Sequence, residues 1–188
     1  MLNATVIVFA VLGLAAVLIM SMFNSLIALL RRCDQASADI DVQLKQRHDL
    51  IPNLVETVKG FAGHERGTLE AVIKARAAAV SAPAGGQQLQ AETALGASLG
   101  RLMAVAEAYP DLKATAHFAE LQGELADIEN KIAAARRYLN SATAEYNTTR
   151  QQFPNNMIAK LFGFDDRNTV VIAPENRADI GAAPAVRF

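Results

Sequence analysis

The sequence predicts an all-α protein: an N-terminal transmembrane helix that continues into an antiparallel bundle of long helices with coiled-coil-like seams. Three observations carry this expectation. Residues 4–20 are apolar apart from Thr5, and no charged side chain precedes Arg31. Farther on, apolar residues recur at steps of three and four, the period of a helix face. The composition, with 52% hydrophobic residues, no Trp, and only 11 Gly and 6 Pro in 188 residues, favours helix over sheet.

The anchor comes first in the chain. A bilayer core takes roughly 20 apolar residues of helix, and Phe23, Leu26, Ile27, Leu29 and Leu30 extend the run past that length. A cleaved signal peptide begins with basic residues and has a shorter apolar core. Here the chain opens Met1-Leu2-Asn3, so residues 1–30 read as a retained, single-pass anchor. Arg31 and Arg32 follow the run directly, with Lys45 and Arg47 at the edge of the relevant window. The positive-inside rule then places the C-terminal domain in the cytoplasm.

Residues 31–164 read as the helical bundle. After the anchor, Leu26, Leu30, Cys33, Ser37, Ile40 and Leu44 keep a helical rhythm without Gly or Pro, so the membrane helix should run rigidly into the bundle. Two outcomes are open at Pro52. The helix kinks and continues, or Asp49 caps a new helix with Pro52 in its first turn. The phase held by Ile51, Val55, Val58, Ala62, Leu69, Val72 and Arg76 favours a kink or short break without reversal, although Gly60, Gly63 and Gly67 weaken this stretch. Residues 81–86 are a loop. A helix over 88–108 follows, with Leu89, Leu95, Leu99, Leu102 and Ala106 on one face. Tyr109-Pro110-Asp111 turns the chain.

The longest seam is Phe118, Leu121, Leu125, Ile128, Ile132, Ala135, Leu139, Ala142 and Tyr146, continued by Thr149 and Phe153. It predicts a helix over 112–152 that Pro154 ends. Residues 155–164 form a short amphipathic helix with Met157, Ile158, Leu161 and Phe162 facing inward. A membrane-surface seat is the sharper alternative, against which Lys160 is the sole basic residue. The tail, residues 165–188, has no helical period and should be mobile.

The search for chemistry returns no catalytic, cofactor-binding or metal-binding constellation. His64-Glu65 begins a zinc-protease motif, but Thr68 stands where its second His belongs. Di-iron bundles use Glu-x-x-His; Lys45, Phe61 and Ala114 stand three residues before His48, His64 and His117. A single cysteine, Cys33, cannot make a thiolate zinc site within one chain. Asp39, Asp41 and Asp49 could meet a cation, yet Asp39 and Asp41 point to different faces of a helix. With net charge −1, no basic run and few aromatic residues, nothing predicts a nucleic-acid partner.

Several ordered stretches resemble the LemA family of bacterial membrane proteins across almost the whole chain. They are 39–45 (DIDVQLK), 47–60 (RHDLIPNLVETVKG), 69–76 (LEAVIKAR), 100–113 (GRLMAVAEAYPDLK), 129–140 (ENKIAAARRYLN), 146–156 (YNTTRQQFPNN) and 158–164 (IAKLFGF). The motif positions that the resemblance marks as structural are Asp39, Gln43, Pro52, Asn53, Tyr109, Pro110, Arg137, Tyr146, Phe153 and Pro154. Two positions depart from the pattern: the family often has an aromatic residue at Ser37 and a Tyr at Phe23. The resemblance implies a bacterial inner-membrane protein with an N-terminal membrane helix, a helical bundle and no established enzymatic activity. Relatives are encoded near membrane metalloproteases, and one branch takes part in building magnetosome membranes. The expected partners are therefore the lipid bilayer, further copies of the chain, and a membrane protease or other envelope protein. Three functions compete: a self-assembling scaffold, an adaptor for a protease or envelope-stress system, and an enzyme whose site forms between subunits from residues such as His48, Asp49 or Arg137.

Overall fold

The computed structural model describes residues 4–168, and these are mostly helical, with no strand among them. Six helices follow in order: α1 (Ala4–Phe61), α2 (Arg66–Ser81), α3 (Gly86–Glu107), α4 (Pro110–Lys113), α5 (Ala116–Gln151) and α6 (Asn155–Phe162). By packing, the chain divides into two units, residues 38–135 and residues 1–37 with 136–188. The sequence reading draws no boundary inside 31–164.

α1 is one helix with Pro52 inside it. Pro52 is exposed, so its ring replaces an N–H on the solvent side, and the apolar positions on either side keep their phase. The expected break without reversal is a reversal: α1 stops at Phe61, and α2, starting at Arg66, runs back along it, so that Arg76 reaches the His48 carbonyl at 2.6 Å. Gly63 lies in the break, where a Cβ would come within 3.3 Å of the Lys59 carbonyl. A side chain there would be crowded, and the small residue leaves room for the chain to leave the helix.

Residues 38–135 form a core around one cluster: Ile51, Leu54, Val55, Val58 and Ala62 from α1, Leu69, Val72 and Ala79 from α2, Leu95, Leu99, Leu102 and Ala106 from α3, Leu112 from α4, and Phe118, Leu121 and Leu125 from α5. Gly85, at φ 107°, opens α3 with a backbone that other residues rarely adopt. The expected single helix over 112–152 is two helices. Pro110 sits in the first turn of α4, and α5 starts again after Thr115, whose hydroxyl donates to the Leu112 carbonyl at 2.7 Å. Because Ile51 is 1% exposed and Ile73 is 53% exposed, Ile51→Val should lower stability by about 0.5–1.5 kcal/mol. Ile73→Val should stay within about 0.5 kcal/mol of wild type. Denaturant titration of the two variants in mild detergent checks the contrast.

The other unit is built on the first part of α1. Its buried positions are Leu26, Leu29, Cys33 and Ala36. The rhythm therefore runs through Leu29 and Ala36, not Leu30 and Ser37; Leu30 is half-buried and Ser37 exposed. The steps of three and four are kept, shifted by one residue, so the absence of an aromatic residue at 37 leaves no gap in this seam. α5 supplies Leu139, Ala142, Thr143 and Tyr146, and α6 supplies Ile158 and Ala159. Along α5 the predicted seam is buried from Phe118 to Tyr146 apart from half-buried Ala135, then ends: Thr149 is half-buried and Phe153 is 79% exposed.

α6 corrects one expectation. Ile158 and Ala159 face inward, while Met157, Leu161 and Phe162 are 63%, 74% and 52% exposed. Gly163 closes α6 in the left-handed conformation (φ 71°), and the Phe164 N–H donates to the Ala159 carbonyl at 2.9 Å. That turn brings Phe164 back onto Phe23, with ring centroids 5.6 Å apart, while Phe162 meets Phe23 edge-on at 4.9 Å. Residues 165–167, placed in the mobile tail by the sequence, bond to the rest of their unit. The Asp165 carbonyl accepts from Tyr146, Asp166 pairs with Arg150, and the Arg167 side chain pairs with Asp34 at 2.8 Å. Residues 169–188 lie outside the described residues.

Candidate functional site

Two polar arrangements stand out, one in each unit. In residues 38–135, Arg47 takes a position of α1 that packing reserves for apolar residues: Ile40, Leu44, Arg47, Ile51, Leu54 and Val58 step by four and three, and all are buried. On α3, Glu92 does the same ahead of Leu95, Leu99, Leu102 and Ala106. The side chains of Arg47 and Glu92 are 5% and 3% exposed, and Arg47 Nη2 bonds Glu92 Oε2. His48 Nε2 lies 2.9 Å from the other Glu92 oxygen. Arg47 Nη1 reaches Glu129 Oε1 on α5 at 2.5 Å, and Arg76 Nε on α2 donates to the His48 carbonyl at 2.6 Å. Four helices thus meet on one charged knot. Arg47 Nε and Gln43 Oε1, one turn away, have no hydrogen-bond partner among the described residues.

The chemistry of this knot is mutual satisfaction. Each buried charge faces an opposite one, and the side chains of His48 and Glu92 are 11% and 3% exposed. Beside the knot, an open groove is lined by Gln46, Asp49, Leu50, Glu124, Asp127, Ile128 and Lys131. Lys131 pairs with Asp127 at 2.6 Å. The Asp49 carboxyl is held below its ordinary value of 3.8, first by the hydrogen bond from Lys45 and then by the positive charges of Lys45, Arg76 and His48. Asp39, Asp41 and Asp49 are all exposed, and Asp41 accepts from Gln88 at 3.4 Å.

In the other unit, Tyr146 is 1% exposed and its hydroxyl donates to the Asp165 carbonyl at 3.0 Å. Asn147 bonds the Arg167 backbone in both directions, at 2.8 and 3.0 Å, and Arg150 donates to the Phe164 carbonyl at 3.0 Å. Burial pushes the Tyr146 phenol above its ordinary 10.0, against the pull of Arg150 and Arg167. The folded chain therefore holds this proton more tightly than the unfolded one. The stabilisation is complete below pH 10 and is lost as pH rises through the folded value. Tyr146→Phe should flatten that alkaline loss, and should lower stability at neutral pH by about 0.5–1.5 kcal/mol through the missing hydrogen bond. Unfolding followed from neutral to strongly alkaline pH checks both parts.

The ten motif positions do not converge on one place. Asp39, Gln43, Pro52, Asn53, Tyr109 and Pro110 belong to residues 38–135; Arg137, Tyr146, Phe153 and Pro154 belong to the other unit. Pro52 and Asn53 are exposed on α1, Tyr109 and Pro110 open α4, and Pro154 opens α6. His48 and Asp49 sit one residue apart, yet one is buried in the knot and the other faces solvent, while Arg137 is exposed in the other unit. Glu92 escaped the sequence reading. The signal was present: it is in register with the α3 seam, three residues before Leu95.

The LemA family model matches residues 36–188. The chain belongs to the LemA family. It is similar to the magnetosome protein MamQ of Magnetospirillum gryphiswaldense, 24% identical over 168 residues that take in 76% of this chain and 62% of that protein. It is also similar to MamQ 1 and MamQ 2 of Paramagnetospirillum magneticum, each 26% identical over 84% of this chain and 67% of theirs. This LemA-family chain thus spans about two thirds or less of the relatives it matches. Outside the matched residues lies the first part of α1. Among the described residues α1 contains the one stretch long and apolar enough to cross a membrane, with none of it buried against the rest of the protein.

Proposed function

We propose that this LemA-family protein is a non-enzymatic, membrane-anchored helical scaffold that assembles with copies of itself and organises the membrane or envelope around it. The observation that carries this reading is α1: a bare apolar stretch passes, without leaving the helix, into packed helical units. A rigid exit of this kind lets any assembly of the helical parts set the spacing of the anchors. The burial of the Arg47–Glu92 pair, 5% and 3% exposed, supports a structural role over a catalytic one. The magnetosome relatives support a task at a membrane. Arg31 and Arg32 support an inner-membrane position with the helical part in the cytoplasm. A C-terminal tag on right-side-out vesicles should survive external protease, and its loss would refute this orientation.

Assembly is tested by the mass of the protein extracted in mild detergent. The expected result is a multiple of the 20.1 kDa chain, and a strict monomer would refute self-assembly. The adaptor reading draws on the groove between Leu50 and Ile128, which joins an apolar floor to the charged rim of Asp49, Glu124, Asp127 and Lys131. A protease recovered by crosslinking from this groove would favour it.

A further inference from the structure

We propose that α6 is seated in the membrane interface, with Phe153, Met157 and Leu161 dipping into the bilayer surface beside the point where α1 leaves it. The proposal rests on the reading of α1 as a membrane span.

Three observations place α6 there. At 1.5 Å per residue, the roughly 20 residues from Ala4 to Phe23 match a hydrocarbon core about 30 Å thick, which sets Phe23 at its edge. Phe162 and Phe164 both pack on Phe23, at 4.9 and 5.6 Å. α5 runs antiparallel to α1: Arg32 pairs with Glu145 at 3.7 Å, and Arg47, later on α1, pairs with Glu129, earlier on α5. Six residues further along α5, Gln151 therefore falls level with Leu26. The chain then goes from the level of Leu26 to that of Phe23, about 4.5 Å along α1, using a helix of eight residues, about 12 Å long. Such a helix lies across α1, as an interfacial helix must.

Its surface fits the place. Met157 and Leu161, one turn apart on α6, are 63% and 74% exposed, and Phe153 just ahead of the helix is 79% exposed, while Ile158 and Ala159 on another side are buried in protein. Soluble surfaces rarely gather large apolar residues in this way. Free interfacial helices usually carry several Lys or Arg for recruitment to the membrane. α6 has only Lys160, but it is already held at the membrane by the contacts of Phe162 and Phe164 with Phe23. Burial of apolar area then suffices, and the seat should form on uncharged lipid.

The test uses the full chain in phosphatidylcholine vesicles, with an environment-sensitive fluorophore on a cysteine placed at Met157, Leu161, Val11 or Ser141, one at a time. The wild-type chain, whose Cys33 is 2% exposed, serves as the labelling blank. The expected result is that Met157→Cys and Leu161→Cys are quenched by lipid spin-labelled near the headgroup and shielded several-fold from aqueous iodide. Val11→Cys should respond to deep spin labels, and Ser141→Cys to iodide. Labels at 157 and 161 as open to iodide as the one at 141, with Val11→Cys in lipid, would overturn the seat and leave the span intact. Shielding from both quenchers would mean that protein covers α6, also overturning it. Iodide access at Val11→Cys would remove the span and the seat together.

Discussion

Arg47→Met should destabilise the protein by about 3–5 kcal/mol, because it leaves the Glu92 carboxylate buried without its partner. For a chain of this size, that corresponds to a fall in melting temperature of about 6–20 °C. The direction follows from burial: the Glu92 side chain is 3% exposed, and His48 at 2.9 Å is its other neighbour in the knot. Glu129 belongs to the same knot but is 46% exposed, so water replaces much of what it supplies. Glu129→Gln should therefore change stability by less than about 1 kcal/mol. Removing both buried charges tests the cause. Arg47→Met with Glu92→Leu puts apolar side chains at two seam positions and should recover most of the loss, as paired replacement of buried ions often does. Thermal unfolding of the four proteins in the same detergent decides the matter. A single variant at Arg47 within about 1 kcal/mol of wild type, or a double variant no more stable than Arg47→Met alone, would show that the knot does not hold the helices.

The second large effect concerns α1. Leu12→Arg together with Leu14→Arg should cost membrane insertion about 5–7 kcal/mol, two central charges at roughly 2.5–3.5 kcal/mol each. Leu12 and Leu14 are 59% and 63% exposed, so the substitutions disturb no packing inside the protein. The core residues of the two units, from Leu26 onward, should keep their helical content. The expected result is a chain that leaves the membrane fraction while remaining folded. Sedimentation after carbonate washing, followed by circular dichroism of the soluble material, checks both halves.

Much of this architecture is legible in the sequence because it depends on period. The α5 seam, the loop before Gly86, the turn at Pro110 and the unbroken run into α1 all express apolar spacing or a Gly–Pro signal. What sequence reasoning missed has a common physical origin. The phase from Val58 through Ala62 to Leu69 looks continuous, but phase carries no direction: α2 folds back along α1, as the bond from Arg76 to the His48 carbonyl requires. Seams read from apolar residues pass over the charges within them; Arg47 and Glu92 were invisible as a pair because their helices meet only in the folded chain, 45 residues apart. On α6 the apolar residues cover a wide arc. Which part of that arc meets protein is set by the Gly163 turn and the Phe23 contacts, which periodicity does not express. Residues 164–167 look featureless in sequence, yet backbone carbonyls at 164, 165 and 167 are the acceptors for Arg150, Tyr146 and Asn147.

The central claim is that α1 is a retained membrane anchor carrying the helical units. Its most direct test is alkaline carbonate extraction of membranes containing the wild-type chain, with the intact mass of the retained protein measured. The chain is expected to stay with the membrane at its full 20.1 kDa. A soluble chain, or one shortened by its N-terminal apolar segment, would contradict it.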